Sequence, residues 1–82
     1  MENFNLTFEN DLFLIRTKEK LNLTILEEIR NSLPKTFRFA MYKDSLGYHH
    51  CYDFVKDKYV YCGSMNYKEA LSLVTKYKEE ND

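Results

Sequence analysis

The apolar positions at the start of the chain repeat every second residue. In FNLTF, residues 4 to 8, Phe4, Leu6 and Phe8 share one side. A polar triplet, Glu9-Asn10-Asp11, follows as a turn signal, and LFLIRT, residues 12 to 17, is the next extended run. The two runs predict an N-terminal hairpin. The second run is apolar on both sides until Arg16, as expected of a central strand or one covered on both faces.

The period then changes. Ile25, Leu26, Ile29 and Leu33 fall on a helical stripe, with Glu27, Glu28, Arg30 and Asn31 around the rest. Thr24 and Glu27 have capping-box spacing, and Pro34 ends the helix. Alternation returns in TFRFAMYK, residues 36 to 43. Phe37, Phe39 and Met41 point one way; Arg38, Ala40 and Tyr42 point the other. A four-residue turn, Asp44-Ser45-Leu46-Gly47, leads to a strand over 48–55. Lys56-Asp57-Lys58 then loops into a short strand from Tyr59 to Cys62. Asn66 and Glu69 repeat the capping-box spacing, with Met65 as a staple residue. The last helix carries Tyr67, Ala70, Leu71, Val74 and Tyr77 on one stripe.

The order is β-β-α-β-β-β-α in one domain, residues 1–82. Its expected architecture is a two-layer α+β domain, an antiparallel sheet with two helices on one face. The four-residue turn sets a register for the middle hairpin. It places Met41 opposite His50, Phe39 opposite Tyr52 and Phe37 opposite Phe54 on the packed face. On an open face Tyr42 meets His49, Ala40 meets Cys51, and Arg38 meets Asp53 as a cross-strand ion pair. A three-residue loop after Val55 adds Tyr59 and Tyr61 to that open face and places Cys62 opposite Tyr52. His50 is then expected to be more buried than His49.

Composition adds one unusual feature. Aromatic residues are 16% of the chain, seven Tyr and six Phe, more than one small core needs. Some therefore belong to the surface, where such rings serve as contact area. Twelve basic residues balance thirteen acidic ones, evenly between the two halves, so the totals predict neither strong attraction to nucleic acid nor DNA mimicry. No apolar run approaches the length of a membrane span, and Met-Glu-Asn-Phe lacks the basic start and apolar core of a signal peptide. A cytoplasmic location follows as an expectation, with no membrane partner and the two cysteines as free thiols.

The stretch Gly47-Tyr48-His49-His50-Cys51-Tyr52-Asp53 holds both histidines and one cysteine. Strand alternation divides it. His49, Cys51 and Asp53 step apart by roughly 7 Å along one side, and His50 faces the other, so neither zinc ligation nor Cys–His catalysis is expected. No cofactor is implied. Residues 24 to 79 have the α-β-β-β-α order seen in double-stranded-RNA-binding domains and in small toxin ribonucleases. The resemblance stops at element order. The toxins' Gly-Ser-His is here Gly47-Tyr48-His49, and Met65-Asn66-Tyr67-Lys68 stands where the RNA-binding domains have a basic cluster. An RNA-binding or ribonuclease reading centred on His49, with Arg38 or Lys43 on phosphate, is the alternative. The leading reading is a small protein-binding domain, a regulator, inhibitor or adaptor, with a protein partner or a second copy of itself. Its contact surface would comprise Arg38, Tyr42, His49, Asp53, Tyr59 and Tyr61.

Overall fold

A computed structural model describes residues 4–32, 35–60 and 62–81. The elements follow the expected order: β1 Phe4–Glu9, β2 Leu12–Thr17, α1 Leu23–Ser32, β3 Phe39–Lys43, β4 His49–Asp53, β5 Lys58–Val60 and α2 Tyr67–Asn81. The five strands form one sheet in the order β1-β2-β3-β4-β5. All neighbours are antiparallel except β2 and β3, which run parallel.

That parallel pair corrects the helix placement. Parallel neighbours need a crossover, and α1 is that crossover. It covers one face, packing Leu26 and Ile29 with Ile15, Ala40 and Tyr52. The second helix covers the opposite face, packing Ala70, Leu71 and Val74 with Leu14, Phe39, Met41 and Cys51. The helices therefore sandwich the sheet in three layers instead of sharing one face. The two-sided apolar character of β2 has this cause: Leu14 and Ile15 point to opposite faces, and both are fully buried.

Both helices start on asparagine. At α2 the Asn66 Oδ1 accepts the amides of Lys68 (2.8 Å) and Glu69 (3.2 Å), as the spacing predicts. At α1 the cap is Asn22, whose Oδ1 accepts the Ile25 amide at 3.0 Å, two residues earlier than the expected Thr24 box. Leu33 and Pro34, expected to finish α1, lie outside the described residues. The β1–β2 hairpin turns on Asn10 and Asp11, with φ of 52° and 61°. Two successive left-handed residues make a tight hairpin turn whose twist matches the strands.

The middle hairpin departs from the expected register by one residue. Met41 pairs with Cys51, Tyr42 with His50, and Lys43 with His49. The reason lies in the loop. Asp44 to Tyr48 make five residues, organised by Asp44, whose Oδ1 accepts the amides of Leu46 and Tyr48, both at 2.9 Å. Gly47 completes it at φ +95°, donating to the Asp44 carbonyl at 3.0 Å. One added loop residue exchanges the faces of the whole following strand. The next loop, Phe54 to Asp57, also differs: β5 spans Lys58–Val60, with Tyr59 opposite Tyr52 and Val60 opposite Cys51.

Candidate functional site

The register change relocates the expected contact residues. His49 and Asp53 do not lie on an open face. Their side of β4 is covered by α2, and they are 4% and 0% exposed. His50, expected to be the more buried histidine, keeps a side chain 46% exposed. It stacks on Tyr42 (centroids 5.0 Å apart) and contacts the Asp44 Oδ2 at 2.8 Å. Tyr59 is exposed on the α1 side, with its hydroxyl donating to the Leu21 carbonyl. Tyr61 lies outside the described residues. Arg38, Tyr42, His49, Asp53 and Tyr59 thus do not form one surface. Cys51 and Cys62, expected on opposite faces, are buried together beneath α2 as free thiols.

The predicted Arg38–Asp53 pair does form, but as internal structure. Arg38 Nε and Nη2 each reach a different carboxylate oxygen of Asp53 at 3.2 Å. The Tyr77 hydroxyl donates to Asp53 Oδ2 at 2.7 Å, and the amides of Val55 and Lys56 donate to Oδ1. Burial pushes the Asp53 pKa up, but Arg38, Tyr77 and the two amides outweigh it and hold the group below the ordinary carboxylate value. The Tyr77 phenol is pushed up to about 12, by burial first and by the Asp53 carboxylate second. Side-chain alternation breaks between Phe37 and Ala40. Phe37 joins the α1-side core, and Arg38 reaches the α2 side. This network ties β4, its following turn and α2 together.

His49 is held in a similar way. Its Nδ1 donates to the Ser64 carbonyl at 2.7 Å. A groove of about 450 Å³ opens beside it, lined by Arg16, Lys18, Tyr42 and Lys43 among others. Among the described residues, three cations and no carboxylate line this groove. Arg16 is also fixed over the Tyr67 ring, 4.0 Å from its centroid. Among the described residues, no three His, Cys, Asp or Glu side chains are grouped to hold a metal ion.

The surface that stands out is one the strand patterns did not single out. In β1 and β2, Leu6, Phe8 and Phe13 are 56%, 58% and 51% exposed on the α1 side. Leu6 is opposite Ile15 and Phe8 opposite Phe13. The Phe8 and Phe13 rings touch, with centroids 4.7 Å apart. The three side chains line a hollow of about 270 Å³ with Thr36 and Phe37. Ile15, one pair along, is fully buried beneath the α1-side core, so the helix covers the sheet up to this line and no further. Beside the patch runs the outer edge of β1, a six-residue strand that, among the described residues, is bonded on one side only.

Among the described residues, no helix is long and apolar enough to cross a membrane. Comparison with known proteins brings no relative to bear on this surface: no family model, no curated protein and no solved structure matches the chain.

Proposed function

We propose that the chain is a small protein-binding domain, acting as a regulator, inhibitor or adaptor, and that it docks its partner on the Leu6–Phe8–Phe13 face of the β1–β2 hairpin. The observation that carries this reading is the exposure itself. Three large apolar side chains, each more than half exposed, lie together at the end of a sheet whose other apolar positions are mostly covered. Contiguous exposed apolar surface on a small domain marks contact sites more often than solvated face. Two phenylalanines in contact beside an open strand edge supply both anchors and backbone donors for a partner. The two buried free thiols, Cys51 and Cys62, suit a reducing compartment, and we place the protein in the cytoplasm on that basis.

The test is affinity capture with the full chain, compared across three variants. A partner held by the wild-type protein should be lost with Leu6→Ser and with Phe13→Ser and retained with Tyr59→Ser. Retention by both hairpin variants, with their folds intact by circular dichroism, would remove the patch from the reading.

A second reading rests on the cationic groove. Arg16, Lys18 and Lys43 around His49 suit a polyanion, RNA included. A ribonuclease would further need the His49 ring to reach substrate. At 4% exposure and bound to Ser64, that ring acts more readily as a wall of the groove.

A further inference from the structure

The geometry points to a second copy of this chain as an occupant of the hairpin edge, with the β1 strands of two copies pairing antiparallel about a two-fold axis at Thr7. The inference rests on the hairpin face being a contact surface, and it names the partner.

The sheet has two edges, and they are built differently. β5 is three residues long, begins at Lys58, and follows a turn containing Lys56 and the left-handed Asp57. Short, lysine-flanked edges resist pairing. β1 is six residues long, FNLTFE, with no Lys, Arg or Pro and a single charge at its end. The guards that sequence can supply, Lys, Pro and charges along the strand, are missing within it apart from Glu9.

The direction of the free backbone groups follows from the hairpin turn. A two-residue loop closes on a hydrogen-bonded pair, here Glu9 with Leu12. Alternation then directs the amides and carbonyls of Thr7 and Asn5 toward β2. Those of Leu6 and Phe8 point outward, and these are also the two exposed apolar residues of β1.

One register satisfies these groups on both faces. With Thr7 opposite Thr7 of the second copy, Leu6 faces Phe8 of the second copy, and Phe8 faces Leu6 of the second copy. All four are outward-pointing residues, so these pairs carry the new hydrogen bonds, and their side chains pack on the patch side. On the other side Asn5 faces Glu9 of the second copy. No charge meets a like charge. Isologous pairing of this kind is closed, so it ends at a dimer and does not propagate.

The test uses cysteine cross-linking in the full chain. In this register the two Thr7 residues form a non-hydrogen-bonded pair, with Cα atoms about 4.5 Å apart, inside the range a disulfide spans. Thr7→Cys should therefore become a covalent dimer under mild diamide oxidation. Asn5→Cys alone and Glu9→Cys alone should stay monomeric, because each thiol would lie roughly 14 Å from its copy. An equal mixture of the two should give the mixed dimer. The wild-type chain is the control, since Cys51 and Cys62 are both buried. Leu6→Lys/Phe8→Lys should sediment as a monomer and keep the wild-type circular dichroism spectrum, whereas the wild type should shift to dimer as concentration rises.

A monomeric wild type over about a hundredfold concentration range, or equal cross-linking at positions 5, 7 and 9, would overturn the pairing. Those results are separate from the capture experiment above. A chain that stays monomeric and still loses a captured protein on Leu6→Ser keeps the contact surface and loses only the second copy as its occupant.

Discussion

Asp53 offers the sharpest test of how the fold is held. Its side chain is fully buried and takes five hydrogen bonds, from Arg38 twice, from Tyr77, and from the amides of Val55 and Lys56. Arg38 is itself only 13% exposed. Replacing Asp53 with Ala removes one buried carboxylate from the Arg38 guanidinium and takes the acceptor from a phenol and two amides. Breaking a buried ion pair from one side costs about 3–5 kcal/mol. A chain of this length has a total stability on the order of 4–12 kcal/mol. Asp53→Ala should therefore remove a large share of it, read as a fall in urea midpoint at pH 7. Asp53→Asn keeps an oxygen for the two amides and should cost less, about 1.5–3 kcal/mol.

The pH dependence follows from the same contacts. The folded carboxyl is held below its unfolded value, so the unfolded chain takes up the proton first. Its contribution is present above about pH 4 and is lost as pH falls through the folded value. Asp44 and Asp57 are shifted the same way, by His50 and by Tyr52 with Arg30 respectively, so the wild-type acid limb is a sum. Asp53→Asn should flatten part of that limb. A loss below about 1 kcal/mol for Asp53→Ala, or an unchanged acid limb for Asp53→Asn, would refute the reasoning.

Other outcomes are fixed by single residues. Phe39 is fully buried against the Tyr77 ring, and Phe39→Ala should cost about 3–5 kcal/mol by chemical denaturation. Tyr42 is only half-buried against the exposed His50, and Tyr42→Ala should cost under about 1 kcal/mol in the same assay. Asn66→Ala removes the acceptor for two α2 amides and should cost about 1 kcal/mol in the same experiment. Asp11 sits at φ 61°, so Asp11→Gly should raise the melting temperature by a few degrees. If the cationic groove takes RNA, Lys18→Glu and Lys43→Glu should weaken a salt-sensitive gel shift, while Lys76→Glu should not.

The element order and most apolar stripes were legible because they depend on local period. The two-sided run of β2 allowed cover on both faces, although the expected architecture put both helices on one, and Asn66 marked the start of α2. Three features were not legible, each for a physical reason. The placement of the helices on opposite faces depended on β2 and β3 pairing in parallel, a long-range choice that strand alternation does not fix. The middle register depended on whether the loop took four residues or five. That was decided by the Asp44 carboxylate binding two loop amides, a choice that leaves the strand alternation of either register intact. Its consequence was to bury His49 and Asp53 and expose His50. The hairpin patch depended on the reach of α1. Ten residues give about 15 Å of helix, and α1 buries only Leu26 and Ile29 as apolar anchors. A strand hairpin of six-residue arms extends about 20 Å, so its turn end stays uncovered. Comparing those lengths would have pointed to Leu6, Phe8 and Phe13.

The most direct measurement of the central claim is amide hydrogen exchange in β1, residue by residue, on the wild-type chain. In a dilute, isolated chain the amides of Thr7 and Glu9 should be protected by β2, while those of Leu6 and Phe8 should exchange freely. Protection should appear at Leu6 and Phe8 when the chain is concentrated or when a captured partner is bound. If Leu6 and Phe8 exchange freely in every state, the hairpin edge is not where this protein makes contact.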